Sequence, residues 1–246
     1  MHRFFVEESQ ILGDEIIITG TDVNHIKNVL RMKVDEDIMV SSEGTKEYTC
    51  RLQSFGDDEI ITTIEHMVEA DRELPSKIYL FQGLPKSDKM ELIIQKAVEL
   101  GVFAIIPVAM KHCVVKLDSK KEATKLKRWQ SIATSAAKQS KRMIIPDVMS
   151  VKSFEEAIAL SKKLDVCLMP YEKALDINET KAILNKIQAG QSIGVFIGPE
   201  GGFAQEEVEL AKHQAVQTIT LGKRILRTET AGITTLSILM YLMEEA

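Results

Sequence analysis

The sequence predicts an α/β protein in which a mostly parallel sheet is covered by helices and preceded by a small β-domain. In residues 1–72, short runs alternate apolar and polar residues, and Gly, Asp and Asn separate the runs, as in a small barrel or sandwich. In residues 73–246, apolar runs of strand length alternate with helical patterns, which is typical of a parallel sheet covered on both faces. A chain of 246 residues can bury such cores without disulfides.

The individual elements follow from these patterns. In residues 1–72, one short helix is predicted at 22–29 and strands at RFFV, EIIIT, DIMVSS, EYTCRL and EIITTIEH. In residues 73–246, strands are predicted at KIYLFQGL, VFAIIPVAM, DVCLMP, SIGVFIG and TITLG. Helices are predicted at SDKMELIIQKAVELG and at residues 119–140, 153–163, 178–187, 204–214 and 231–244. In the first of these helices, Ser87 is the expected N-cap and Gly101 the expected stop.

The net charge of -5 argues against a polyanionic partner until its distribution along the chain is considered. Residues 1–75 hold 7 Lys and Arg against 17 Asp and Glu, whereas residues 76–246 hold 24 against 19. Residues 111–142 hold 10 basic and 2 acidic residues, a density that can neutralise several phosphates of a nucleic acid. A solvated helix face is an equal alternative for this basic run, and Trp129 within it is expected in the core.

Composition and cysteine spacing exclude several classes of protein. With 45% hydrophobic and 27% charged residues, the chain is neither disordered nor collagen-like nor embedded in a membrane. Its three cysteines are widely spaced, so neither a disulfide framework nor a metal site is predicted. The first residues lack the pattern of a secretory signal, and the apolar stretch at 233–243 is too short to span a bilayer. We therefore expect a cytoplasmic protein without a membrane partner.

The segment IGPEGGF, residues 197–203, stands between a predicted strand and a predicted helix. Its glycines allow a ligand to approach the backbone closely, and strand ends are where open α/β sheets bind ligands. A tight turn without a ligand is the alternative. The segment matches neither the P-loop nor the GxGxxG pattern, and Glu200 would repel a phosphate.

The segment LGKRILRTETA, residues 221–231, joins the last predicted strand to the last helix. It concentrates three cations, two threonine hydroxyls and a carboxylate in eleven residues. Thr228 or Thr230 can cap the helix. Arg224 and Arg227 suit a functional site better than a scaffold, although one of them could form a surface ion pair with Glu229.

Six blocks together resemble a known family. They are MHRFFV, HIKNVLRMK, KSDKMELIIQKAVELGV, RWQSIATSAAKQSKR, IGPEGGF and LGKRILRTETAG, in that order along the whole chain. The chain resembles the bacterial 16S ribosomal RNA uridine-N3 methyltransferases, a branch of the knotted SPOUT class. The resemblance implies a PUA-like barrel in residues 1–72 and a domain with a deep trefoil knot in residues 73–246, an exception to the usual absence of knots. It also implies a homodimer formed through the knotted domains, S-adenosylmethionine as methyl donor and 16S ribosomal RNA as substrate. Whether that RNA is free or within the small ribosomal subunit stays open from sequence.

The family's cofactor loops match three places in this sequence. The implied cofactor-binding residues are Leu168, Pro170, Ile197, Gly198, Glu200, Gly202, Leu221, Gly222, Ile225, Leu226 and Thr228. Arg227 is the expected donor to negative charge developing on the uracil oxygens. Glu229 is one candidate for the base that accepts the N3 proton, and water or hydroxide is the other.

The resemblance also implies residues that contact RNA. These are Arg3, His25, Arg31, Lys138 and Arg142. There is an alternative for each kind of residue. His25 could pack locally, and the arginines could pair with nearby carboxylates, in which case these residues would not contact RNA. Two other functions stay open from sequence: a knotted 2′-O-ribose methyltransferase, and a ribosome-assembly factor that binds RNA without catalysis.

Overall fold

The structure is a computed structural model, which describes residues 1–42, 45–174 and 176–244. The chain divides into two compact units. The N-terminal unit comprises Met1–Glu73 with Ala137–Ile144, and the C-terminal unit comprises Leu74–Ala136 with Ile145–Ala246. The segment Ala137–Ile144, which the sequence pattern assigned to the second domain, therefore lies with the first.

The N-terminal unit is a six-stranded sheet with one helical insertion. Its strands are β1 (Arg3–Val6), β2 (Ile11–Leu12), β3 (Glu15–Thr19), β4 (Asp37–Ser42), β5 (Lys46–Phe55) and β6 (Glu59–Glu69). A 3₁₀ turn (Glu8–Gln10) precedes β2, and helix α1 (Thr21–Asn24) continues into a π-helical turn (His25–Val29). The order is β1-β4-β5-β6-β3-β2, with β1 parallel to β4 and the other neighbours antiparallel. All five predicted strands and the helix are present.

Alternation along the strands builds the core of this unit. Ile16 and Ile18 of β3, Ile38 and Val40 of β4 and Leu52 of β5 are buried in one apolar cluster. Each pair is separated by one residue because successive strand side chains point to opposite faces. The π-helical turn adds buried Ile26 to the same cluster.

The C-terminal unit is a seven-stranded sheet with helices between the strands. Its strands are β7 (Lys77–Gly83), β8 (Ala104–Ala109), β9 (Asp147–Val148), β10 (Lys152–Ser153), β11 (Val166–Pro170), β12 (Ser192–Ile197) and β13 (Gln217–Ile219). Its helices are α2 (Lys89–Glu99), α3 (Ser119–Ser140), α4 (Phe154–Ser161), α5 (Ile177–Leu184), α6 (Gln205–His213) and α7 (Thr228–Met243), and the end of α3 from Ala137 onward belongs to the N-terminal unit. The order is β10-β8-β7-β12-β11-β13, with β9 beside β8. Every pairing described in this sheet is parallel, as predicted.

Both faces of this sheet are buried. Phe81, Ile106 and Phe196, on neighbouring strands, belong to a core that includes residues of α4 and α6. Their neighbours in sequence point to the opposite face, where α7 packs against β12 and α2. Near-continuous apolar strands such as IGVFI are the expected consequence of burial on two faces.

The ends of α2 differ in how well the sequence predicts them. Ser87 is not the N-cap: it has a φ of 55°, and Asp88 takes the cap position without a side-chain hydrogen bond. Gly101 ends the helix with a φ of 86°, as predicted. In the described ranges, no helix combines the length and the apolar character needed to cross a membrane.

Candidate active site

A cleft of about 510 Å³ opens in the C-terminal unit beyond the carboxyl ends of β11, β12 and β13. Three segments form its walls: Pro170–Glu172 after β11, the GPEGG loop (residues 198–202) after β12, and the 221–227 segment after β13. Parallel strands that end at one edge bring these three segments together, although they are far apart in sequence. The lining is completed by residues beside these segments and on two helices: Ile197, Phe203, Thr220, Lys89 of α2, and Thr228 and Ala231 of α7.

Most of the predicted cofactor-binding residues line this cleft. Ten of the eleven do so: Pro170, Ile197, Gly198, Glu200, Gly202, Leu221, Gly222, Ile225, Leu226 and Thr228. Leu168 does not, because it is fully buried in β11, two residues before the cleft begins. Arg227 lies on the wall, whereas Glu229 does not.

The GPEGG loop is shaped by a tight turn and by close packing. The N–H of Gly202 donates a 2.9 Å hydrogen bond to the Pro199 carbonyl, and Gly202 has a φ of 67°, which favours glycine. Gly83, at the end of β7, approaches the loop so closely that a Cβ there would lie 2.7 Å from the Pro199 nitrogen. His112 Nδ1 lies 3.0 Å and 3.2 Å from the carbonyl oxygens of Gly201 and Gly202. The loop is therefore held from two sides.

Thr228 connects this loop to the last helix. Its hydroxyl donates a 2.7 Å hydrogen bond to the Gly198 carbonyl and accepts a 2.9 Å hydrogen bond from Nε2 of Gln82. Gln82 is fully buried, and its Nε2 also donates to the Gly83 carbonyl. Thr228 is the first residue of α7, so the helix begins earlier than predicted, and Arg227 holds the N-cap position without a capping hydrogen bond from its side chain.

Two arginines on the cleft wall have no partner among the residues that the structure describes. Arg224 and Arg227 are exposed, and neither side chain forms a hydrogen bond or ion pair with any residue in the described part of the chain. The ion pair that the sequence allowed between one of them and Glu229 is absent from the described contacts. Both guanidinium groups are available to a ligand.

Glu229 instead contacts Lys89, a residue that sequence reasoning missed. Lys89 Nζ lies 3.4 Å from Oε2 of Glu229 and 3.0 Å from Oε1 of Glu200. The Glu200 carboxylate also accepts a 3.1 Å hydrogen bond from the backbone N–H of Lys86. The one available signal was the position of Lys89 within the KSDKMELIIQKAVELGV block, which carries the family resemblance.

Two of the predicted RNA-binding residues are buried in ion pairs of the N-terminal unit. The guanidinium of Arg3 lies 2.5 Å from Glu47 and 2.6 Å from the Ser41 hydroxyl, and its side chain is 4% exposed. Arg142 is equally buried and forms an ion pair with Glu73. The Glu73 carboxylate also accepts a hydrogen bond from the backbone N–H of Met143. These contacts give Arg3 and Arg142 structural roles, which corrects their expected presentation to RNA.

The other three predicted RNA-binding residues are more accessible. Lys138 pairs with Asp22 at 2.8 Å, and its Nζ lies 5.0 Å from the centre of the Phe4 ring. His25 is exposed and touches the edge of Phe4. Arg31 is exposed, and its side chain contacts no partner among the described residues.

The basic run 111–142 is only partly available for binding. Lys111, Lys121, Arg128, Lys138 and Arg142 pair with carboxylates. Lys116, Lys120, Lys125, Lys127 and Lys141 form no ion pair within the described ranges. Trp129 is buried, as predicted.

Comparison with known proteins places this geometry in a family. A family model described as "RNA methyltransferase domain" matches residues 72–240, and one described as "RNA methyltransferase PUA domain" matches residues 18–65. The ribosomal RNA small subunit methyltransferase E of Bacillus subtilis (strain 168) is 41% identical over 250 residues, which cover 99% of this chain and 98% of the relative. The chain belongs to the ribosomal RNA small subunit methyltransferase E family.

Two solved structures similar to this family member contain the cofactor. A ribosomal RNA small subunit methyltransferase E from Neisseria gonorrhoeae, bound to S-adenosylmethionine, is 33% identical with a TM-score of 0.83 over 98% of each chain. A methyltransferase from Legionella pneumophila, also in complex with S-adenosylmethionine, is 30% identical with a TM-score of 0.86 over 97% of this chain and 96% of that chain.

Proposed function

We propose that this protein transfers a methyl group from S-adenosylmethionine to N3 of a uridine in 16S ribosomal RNA. The observation that carries the proposal is the cleft at the carboxyl ends of β11, β12 and β13. Two arginines on its wall have no partner in the described part of the chain. Family membership supplies the reaction class, since the curated relatives are ribosomal RNA small subunit methyltransferases.

The residues of the cleft fit S-adenosylmethionine. The GPEGG loop offers backbone groups that a ligand can approach, and Leu221, Ile225 and Leu226 offer apolar surface for an adenine ring. On the lining of the cleft, the Glu172 carboxylate is exposed and forms no ion pair with any described residue. A carboxylate of this kind suits a cationic ligand, and S-adenosylmethionine carries both an ammonium and a sulfonium group.

When bound, S-adenosylmethionine supplies a methyl group that is already activated for transfer. N3 of uracil is a neutral imide nitrogen, so it must lose its proton as the new bond to carbon forms. Negative charge then develops on the flanking carbonyl oxygens. Arg227 is exposed on the cleft wall and pairs with none of the described residues. It is the side chain that we assign to stabilise this charge.

We assign acceptance of the N3 proton to water. Glu229 lies outside the lining of the cleft and beside the ammonium group of Lys89. A carboxylate held in this way is a weaker candidate for a base than solvent at the mouth of an open cleft. Arg227 assists because a nearby positive charge lowers the pKa of the uracil imide.

The substrate nucleotide must be unpaired or extruded, because a base inside a duplex does not present N3. We propose that Arg31, His25 and the unpaired lysines of the basic run contact the flanking RNA phosphates. Binding is then local, since the positive charge is concentrated in few places while the N-terminal unit is acidic. We propose the small ribosomal subunit, and not free RNA, as the form that is modified.

We propose that the protein is a homodimer and that its C-terminal unit carries the family's trefoil knot. Helix α7 is apolar around much of its circumference, yet Tyr241 is 80% exposed and Leu92 on the adjacent α2 is 43% exposed. A helix that is apolar on all sides is normally covered, and a second copy of these two helices would cover it. The resemblance to the knotted SPOUT class is what supports the knot.

The decisive experiment maps methylated nucleosides by mass spectrometry. Small subunits from a strain lacking the gene are incubated with purified protein and S-adenosylmethionine, in parallel with naked 16S RNA. N3-methyluridine is the expected product, and it should form faster on the subunit than on naked RNA. A 2′-O-methyl product, or no product, contradicts the proposal.

Arg227→Ala should lower the single-turnover rate about a hundredfold or more with little change in cofactor affinity. Lys223→Ala is the matched control, because Lys223 is exposed but does not line the cleft.

A further inference from the structure

Lys89 joins two segments that are far apart in the chain. It is the first residue of α2, and its ammonium group lies between Glu200 of the GPEGG loop and Glu229 in the first turn of α7. The two carboxylate oxygens concerned are at most 6.4 Å apart, the sum of their 3.0 Å and 3.4 Å distances from the shared nitrogen. All three side chains are partly buried, so water screens their charges incompletely.

The charges in this cluster depend on one another. The hydrogen bond to Glu200 raises the pKa of the Lys89 ammonium. Burial tends to raise the pKa of the Glu200 carboxyl, but hydrogen bonds from Lys89 and from backbone N–H groups outweigh it and hold that pKa below its ordinary value. Without the ammonium, two carboxylates would face each other in a partly dry site, where like charges repel strongly.

We propose that Lys89 is a positioning residue, which holds the GPEGG loop against the start of α7 by bridging Glu200 and Glu229. The inference rests on the proposed function, because it makes the shape of the cofactor cleft depend on this bridge. Lys89 contacts the loop from α2, through the Glu200 carboxylate. The Thr228 hydroxyl contacts the same loop from α7, through the Gly198 carbonyl. Both contacts restrain one short loop, and preorganisation of such a loop increases affinity.

The experiment is calorimetry on the full-length protein with S-adenosylmethionine and, separately, S-adenosylhomocysteine, which lacks the sulfonium charge. Lys89→Met should lower the affinity for both ligands about tenfold, which is the loss expected for one charge-assisted contact. Lys89→Arg should restore affinity to within about threefold of the wild type. Lys86→Met is the matched control, because only the backbone of this exposed neighbour contacts Glu200.

A second variant separates positioning from a folding defect. Glu200→Gln removes the bridge from the other side, and the double variant Lys89→Met with Glu200→Gln should bind no more weakly than Lys89→Met, because both changes break one contact. Additive losses, or unchanged binding of both ligands by Lys89→Met, would overturn the inference. So would a change confined to S-adenosylmethionine, which would assign Lys89 a purely electrostatic effect on the sulfonium. If the wild type binds neither ligand, the proposed function itself is wrong.

Discussion

The hydroxyl of Thr228 donates a 2.7 Å hydrogen bond to the carbonyl oxygen of Gly198, which ties the start of the last helix to the loop after β12. Gln82 Nε2 donates to the same hydroxyl from β7. Three segments that line or support the cleft therefore meet at one buried oxygen atom.

Thr228→Val should disrupt this junction with little change in volume. The Gly198 carbonyl and Gln82 Nε2 would each lose a buried partner, which costs about 1–3 kcal/mol per group. Urea unfolding should show a loss of stability of about 2–6 kcal/mol for the two groups together, and calorimetry should show weaker S-adenosylmethionine binding. Thr228→Ser retains the hydroxyl and serves as the control. Equal losses in the two variants would contradict the hydrogen-bonding role.

Gly83 and Gly232 provide a matched pair of glycine substitutions near the cleft. In Gly83→Ala, the new methyl group would lie 2.7 Å from the Pro199 nitrogen and 2.9 Å from the Met110 sulfur, so the GPEGG loop must shift. We expect at least about tenfold weaker cofactor binding by calorimetry. In Gly232→Ala, the nearest contacts are 3.6 Å and 3.8 Å. That variant should keep its affinity and gain up to about 1 kcal/mol of stability, because alanine favours the helix.

Periodicity was sufficient to predict the two sheets and most helices, because each pattern reports local burial. The three cleft segments could also be predicted, since glycine-rich and cation-rich turns at strand ends are visible in sequence. The partners of charged side chains could not be predicted from the sequence. Arg3 pairs with Glu47 and Lys89 with Glu200 across the tertiary fold, and no local pattern separates such a buried cation from one that binds RNA. The Ser87 cap failed for a related reason, because its left-handed backbone is set by the turn before α2.

Glu47 should make the stability of the N-terminal unit depend on pH. Burial tends to raise the pKa of its carboxyl, but hydrogen bonds from Arg72 and Arg3 outweigh this and hold the pKa below the ordinary value of 4.5. A lowered pKa in the folded state stabilises the fold at pH values above 4.5, and this contribution is lost as pH falls through the folded pKa.

Glu47→Gln should therefore cost about 3–5 kcal/mol at pH 7, because Arg3 remains buried without a counter-charge. The difference from the wild type should shrink when thermal unfolding is repeated at successively lower pH. Glu65→Gln is the control, since this 42% exposed carboxylate lies 3.7 Å from Arg51 at the surface and should contribute less than about 1 kcal/mol. A constant difference between wild type and Glu47→Gln at every pH would refute the assignment.

The proposed dimer interface can be tested at Leu92 and Tyr241, the most exposed large apolar residues described on α2 and on α7. The double variant Leu92→Asp with Tyr241→Asp places charges on α2 and α7, where burial of an unpaired carboxylate is costly. Sedimentation should show a dimer for the wild type and a monomer for the variant. Val114→Asp, at a residue that is 67% exposed outside these helices, should remain dimeric. A monomeric wild type would contradict the proposed homodimer.

Arg31 and Arg3 should respond in opposite ways to loss of their charge. Arg31 is exposed and without a described partner, so Arg31→Gln should leave thermal unfolding unchanged and weaken RNA binding. If its guanidinium contacts one phosphate, the plot of log affinity against log salt should lose about one unit of slope.

Arg3→Met should instead lower the unfolding temperature, because it leaves Glu47 paired only with the partly exposed Arg72. Under conditions where Arg3→Met is still folded, its salt slope should match that of the wild type. An unchanged slope in Arg31→Gln would remove Arg31 from the RNA-binding surface.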